Sequence, residues 1–137
     1  MARILVVEDV AAVREFVRRA LESEGHDVSV AEDGLKGLAV IARDSDIDLL
    51  LTDIVMPGLD GIALALKVAK DFPRVRILLM TGYAAERQRA HNLDALIHRV
   101  IAKPFSLQEI CRVVKEVLAD WPVPPEAGNG NGGAALR

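Results

Sequence analysis

A chain of 137 residues, 51% of them hydrophobic, can bury one core without help from disulfides or a structural metal, and its single cysteine, Cys111, excludes an internal disulfide framework. A formal net charge of −3 argues against a nucleic-acid partner, which would need Lys and Arg clustered on one face. The N-terminal MARILVVEDV carries one arginine and a short apolar run that stops at two acids, so it is neither a secretory signal nor a membrane span, and a soluble cytoplasmic domain is expected.

Along the chain, short apolar runs alternate with longer amphipathic segments. The first run, Arg3–Val7, is followed by a segment with Val13, Phe16, Val17, Ala20 and Leu21 at helical spacing and Arg14, Arg18, Arg19 and Glu22 opposite. Gly25 supplies a helix stop. A second strand is expected over Asp27–Ala31 and a second helix over Leu35–Arg43. The third run, Asp48–Thr52, leads through a Met-Pro-Gly turn to a helix after Asp60, with Ile62, Ala65, Leu66 and Ala69 on one side and Pro73 closing it. Strand-length runs follow at Arg76–Met80 and Arg99–Ala102, separated by a weaker, more polar helical segment near Ala84–Asn92. A fifth helix opens at Ser106 and turns Ile110, Val113, Val114, Val117 and Leu118 inward. Nearly unbroken apolar strands in strict β-α alternation imply a doubly wound α/β domain, its parallel sheet covered on both faces. From Trp121 the Pro- and Gly-rich WPVPPEAGNGNGGAALR reads as a flexible tail, so the expected division is a domain over residues 1–120 and a tail over 121–137.

Ligands of such sheets bind beyond the carboxyl ends of the strands. Those ends carry Glu8 and Asp9 after the first strand, Asp53 after the third, Thr81 and Gly82 after the fourth, and Lys103 followed by Pro104 after the fifth. Taken alone, Asp9 reads as a helix N-cap; five polar side chains at equivalent ends of separate strands read as a site. Two carboxylates about 4 Å apart repel by roughly 4 kcal/mol at an effective dielectric near 20. Three clustered acids therefore raise their pKa values or recruit a cation, and an all-oxygen site with room for water suits Mg²⁺. A hydroxyl and an ammonium opposite suit a phosphoryl group. Asp53, between the two halves, can then serve as a nucleophile that forms an acyl phosphate.

With these residues the chain resembles the receiver domains of two-component response regulators, from about Ala2 to Asp120. The motifs are LVVED with Glu8 and Asp9, LLLTDIVMPGLDG around Asp53, ILLMTGY with Thr81 and VIAKPF with Lys103. The resemblance implies a CheY-like (flavodoxin-like) fold, five parallel strands in the order 2-1-3-4-5 with five helices. It further implies that Asp53 accepts a phosphoryl group from a histidine kinase or phosphotransfer protein. Mg²⁺ would be held by Glu8, Asp9, Asp53 and the Val55 backbone carbonyl. Thr81 and Lys103 would bind phosphoryl oxygens, and the Lys103–Pro104 bond would be cis. Output would pass to a downstream protein at the face of the fourth helix, fifth strand and fifth helix. Two departures from the common pattern stand out: Val100 replaces an aromatic residue three before the lysine, and the acidic pair is Glu-Asp. Val55 and Tyr83 are bulky enough to shield an acyl phosphate from water.

With 17 residues after Asp120, a stand-alone regulator acting through its receiver surface is expected, similar in wording to CpdR-type receivers, with a phosphorelay carrier as the alternative. Catalysis would be limited to its own phosphorylation and dephosphorylation. An aspartate-nucleophile phosphatase would need an acid where Val55 stands, and a nucleotide binder would need glycines in VVEDVAAV. His26, His91 and His98 lack metal-ligand spacing. Cys111 reads as a small core or groove residue, Trp121 as packing on the last helix, and Arg14, Arg18 and Arg19 as a solvated face or a kinase-docking patch.

Overall fold

The structure, a computed structural model, describes residues 1–44, 46–82 and 99–119. The expected helix at Ala84–Asn92, Tyr83, His91, His98 and the tail with Trp121 lie outside these residues. Five strands, β1 (Arg3–Val7), β2 (Asp27–Ala31), β3 (Leu49–Asp53), β4 (Arg76–Thr81) and β5 (Arg99–Ala102), form one parallel sheet in the order β2-β1-β3-β4-β5. Among the described residues there are four helices: α1 (Ala11–Ser23), α2 (Gly34–Arg43), α3 (Gly61–Asp71) and α4 (Leu107–Ala119), the last being the expected fifth helix. No helix of the described residues is long and apolar enough to cross a membrane.

The sheet divides the core in two. On one side Leu5, Val7, Leu50, Ile77 and Leu79 pack with Ile41 of α2 and Leu64 and Val68 of α3. On the other, Ile4, Val6, Leu49, Leu51 and Leu78 meet Val17 and Leu21 of α1 and Ile110 and Val114 of α4. Alternate residues of one strand thus feed opposite layers, which is why β3 reads as an unbroken LLL and is buried throughout. Caps fix where the helices start. Asp33 Oδ1 accepts from the Lys36 N–H at 2.8 Å, Asp60 Oδ1 from the Ala63 N–H at 2.8 Å, and Ser106 Oγ from the Glu109 N–H at 3.0 Å. At the C-terminus of α1, Gly25 adopts φ +91°, the left-handed geometry that a side chain disfavours.

Asp9 is not the cap of α1, the reading it has when taken alone: Val10 occupies that position and no side chain caps it. Two expectations are corrected. Phe16 is 41% exposed rather than inward, its ring lying 6.5 Å from that of Phe105 at the rim. Leu66 faces solvent, while Leu64 and Val68 join Ile62 and Ala65 in the core. Leu51→Ala, fully buried in the same core layer as Val17, should therefore cost about 3 kcal/mol in urea unfolding, and Phe16→Ala about 1 kcal/mol or less; equal losses would contradict this assignment of the α1 face.

Candidate functional site

Parallel pairing puts the polar strand ends side by side. Val7 is level with Thr52, Asp53 with Met80 and Thr81 with Ala102, so Glu8, Asp53, Thr81 and Lys103 emerge at one rim. The ladder continues past the expected strand ends, since Asp53 and Thr81 are the last paired residues of β3 and β4. Beyond β5 the Lys103 N–H donates to the Thr81 carbonyl at 2.8 Å, and the Lys103–Pro104 peptide is cis.

Glu8 is wholly buried, and Asp53 and Thr81 are nearly so, whereas Asp9 is exposed. Both Glu8 carboxylate oxygens are engaged. Oε1 accepts from Lys103 Nζ at 2.8 Å, and Oε2 from the Val10 N–H at 3.0 Å. Lys103 Nζ also lies 3.1 Å from Asp53 Oδ1, which accepts the Ile54 N–H at 3.0 Å. Glu8, Asp9 and Asp53 each offer a carboxylate oxygen, all within 4.8 Å of one another. The three acids outnumber the one ammonium among them, so the cluster retains negative charge and its donor set is all oxygen. Both properties fit a hard divalent cation.

Burial pushes the Glu8 carboxyl above the usual carboxylate range, against the Lys103 and Val10 hydrogen bonds. Burial likewise raises Asp53, against the Lys103 charge. Burial disfavours the Lys103 ammonium, but its hydrogen bond to Glu8 and the charge of Asp53 outweigh this and hold its pKa above the ordinary lysine value.

Beside the acids lies an open cavity of about 670 Å³, lined by Asp9, Asp53, Val55 and Lys103 and also by Val13, Phe16 and Phe105. Val55 is exposed there. The arginines of α1 are committed locally. Arg18 pairs with Glu15 and Glu22, Arg19 Nε lies 3.5 Å from Glu15, and Arg14 Nη1 donates to the Glu8 backbone carbonyl at 2.7 Å. Arg14 tying α1 to the end of β1 has no signature beyond a basic residue six positions along. His26 is a strand fastener, its Nδ1 accepting the Ala2 N–H at 3.1 Å. Cys111 Sγ, partly buried, donates to the Ala20 carbonyl at 3.5 Å between α4 and α1.

A family model described as "Response regulator receiver domain" matches residues 4–115. Response regulator MprA of Mycobacterium leprae is 36% identical over 116 residues, covering 85% of this chain and 50% of its own; the chain thus spans about half the length of the curated relatives it matches. Among solved structures, a CheY-like response regulator receiver domain protein from Methanospirillum hungatei is 32% identical with a TM-score of 0.81, covering 88% of this chain and 95% of that one. Response regulator TrrA of Thermotoga maritima, solved in complex with Mg²⁺-BeF, is 31% identical with a TM-score of 0.77, covering 85% and 99%.

The raised carboxylates give the domain a pH signature. Folded Glu8 and Asp53 keep protons that the unfolded chain has already released, so their contribution to stability is full below the unfolded carboxylate pKa and is lost as pH rises through their raised folded values. In metal-free buffer at neutral pH, Asp53→Asn should raise the Tm by about 3–6 °C, the response of a domain of this size to about 1 kcal/mol. The gain should shrink as the pH is lowered toward 4. A Tm difference independent of pH would show that Asp53 is not charge-strained.

Proposed function

The chain belongs to the response regulator receiver domain family, and from that premise we propose that Asp53 accepts a phosphoryl group from a phosphohistidine on a partner kinase or phosphotransfer protein. The observation that carries this is the Glu8–Lys103–Asp53 bridge beside Asp9: a nucleophile, its countercharge and a cation site at one strand end. Among the described residues, Ile54 and Lys103 both use Oδ1, which would leave Oδ2 as the attacking oxygen. As the Asp–O–P bond forms, the P–N bond to the donor breaks and the imidazole nitrogen leaves with the electron pair.

Asp9, Asp53 and the Val55 carbonyl would hold Mg²⁺ directly, and Glu8, with both oxygens already engaged, through water. The ion would supply charge neutralisation for Asp53 and the incoming phosphoryl oxygens. The Lys103 ammonium would move from the carboxylates to one phosphoryl oxygen, and Thr81 would donate to another. The cavity's apolar side, with exposed Phe16 against Phe105, suits the helix bearing the donor histidine better than the α1 arginines do, because these are already paired.

Phosphorylation would bring up to two negative charges to Thr81 and Lys103 and shift the end of β4, β5 and α4. This would change affinity for a downstream protein at that face roughly 5- to 150-fold. In this reading the protein signals through its receiver surface and turns over no phosphoryl group but its own.

Incubation with acetyl phosphate and Mg²⁺ should add the mass of one phosphoryl group, and Asp53→Asn or EDTA should abolish the adduct. Asp9→Ala should raise the Mg²⁺ concentration for half-maximal rate at least about tenfold. The adduct should outlast several seconds because Val55 lines the cavity beside Asp53, and a half-life of a few seconds in Mg²⁺ would contradict that shielding. No adduct on wild type, with the fold intact, would overturn the reading.

A further inference from the structure

The peptide carbonyl of Asp53 is hydrogen-bonded by Thr52 and closely approached by Gly61, residues to which the phosphoacceptor reading gives no role. Thr52 Oγ1 donates to it at 2.9 Å, and Thr52 is wholly buried in a strand otherwise made of leucines up to Asp53. Burying a hydroxyl among leucines is costly unless it makes a hydrogen bond, and Val would fill the same space without that cost. From the α3 side, Gly61 donates its N–H to the Ile54 carbonyl at 2.8 Å. A Cβ on Gly61 would overlap the Asp53 carbonyl oxygen and lie 2.8 Å from its carbon and 2.9 Å from Ile54 Cα. Gly61 has no left-handed φ, so what it provides is closeness. The atoms it would strike are backbone, and no rotamer change can relieve the clash.

We propose that Thr52 and Gly61 are positioning residues that fix the Asp53 peptide and thereby aim its carboxylate at phosphorus; the inference rests on the reading of Asp53 as phosphoacceptor. An in-line displacement needs donor, phosphorus and attacking oxygen in a row. The Asp53 carboxylate hangs from its peptide by two rotatable bonds, so a shift of the peptide moves the oxygen directly. A displacement of about 1 Å is enough to lose about 10²-fold in rate.

The test is the kinetics of adduct formation on the full chain with acetyl phosphate and saturating Mg²⁺, read by intact mass. Thr52→Val should lower the rate constant at saturating donor about 5- to 10-fold with KM unchanged, and Thr52→Ser, which keeps the hydroxyl, should restore it to within about twofold. Gly61→Ala should lose about 10²-fold. Gly34→Ala is the control: its Cβ would strike the Leu59 carbonyl, at the far end of the same loop, and should lower the Tm while leaving the rate constant intact. If Gly61→Ala does not fold, the Thr52 pair decides. Folded Thr52→Val and Gly61→Ala proteins that react at the wild-type rate would overturn the inference, as would a Gly34→Ala protein as slow as Gly61→Ala. A wild type that takes no phosphoryl group would instead overturn the phosphoacceptor reading beneath it.

Discussion

One ammonium allows two carboxylates to be buried together. Lys103 Nζ sits 2.8 Å from Glu8 and 3.1 Å from Asp53, and without it two acids at the end of a dry sheet would repel each other with nothing between them. The compensation is incomplete. Both acids stay above the ordinary carboxylate range because burial outweighs the lysine, and Asp9 adds a third charge from the solvent side. The rim is therefore built for more positive charge than it carries. A divalent cation would relieve the deficit on one side, and a phosphoryl group would give Lys103 a stronger partner on the other. Neither alone would complete the cluster.

Such a cluster needs a mount that does not yield. Four strand ends are level because the parallel register makes them so, and each strand beneath is clamped by leucine, isoleucine and valine side chains on both faces. A carboxylate on a surface loop would turn toward water and lower its pKa. Asp53 is the last ladder residue of β3, with its neighbour's N–H on Oδ1 and Gly61 close against its carbonyl, and it has little room to do so. Rigidity and charge strain thus have one origin, the burial of a polar strand end.

Much of this is legible in the sequence. RILVV, LLL and RILLM are apolar without alternation because both faces are covered, and the strand order follows from the resemblance of the motifs. The polar residues at the strand ends identify the rim. Reading fails where the deciding contact is tertiary. Asp53 and Thr81 look like loop residues beside their apolar runs, yet the ladder continues through them. Helical spacing marks a stripe on α1 but not its width; Phe16 falls on the stripe's edge and meets Phe105, from the β5–α4 connection, instead of the core. Leu66 is displaced from α3's buried face by Leu64 for the same reason. The strand-end pattern brings Glu8 and Lys103 to one rim, but the direct hydrogen bond between them, 95 residues apart in the chain, is a tertiary contact the pattern does not display. Arg14, Thr52 and Gly61 act through backbone carbonyls, which no residue pattern displays.

Val100 narrows the route by which the rim can be heard elsewhere. It lies level with Leu79 and packs against the α2–α3 side of the core. A valine has a single side-chain torsion and no ring to swing between an inward and an outward pocket. A signal that depended on an aromatic side chain changing places would have nothing to move here. The backbone offers a continuous alternative. Lys103 donates its N–H to the Thr81 carbonyl, so a displacement of Thr81 pulls on the residue whose ammonium already bridges Glu8 and Asp53. Three residues past Lys103, Ser106 caps α4. Charge placed on Asp53 would then reach α4 through two hydrogen-bonded strand ends and one short connection, without a rotamer switch.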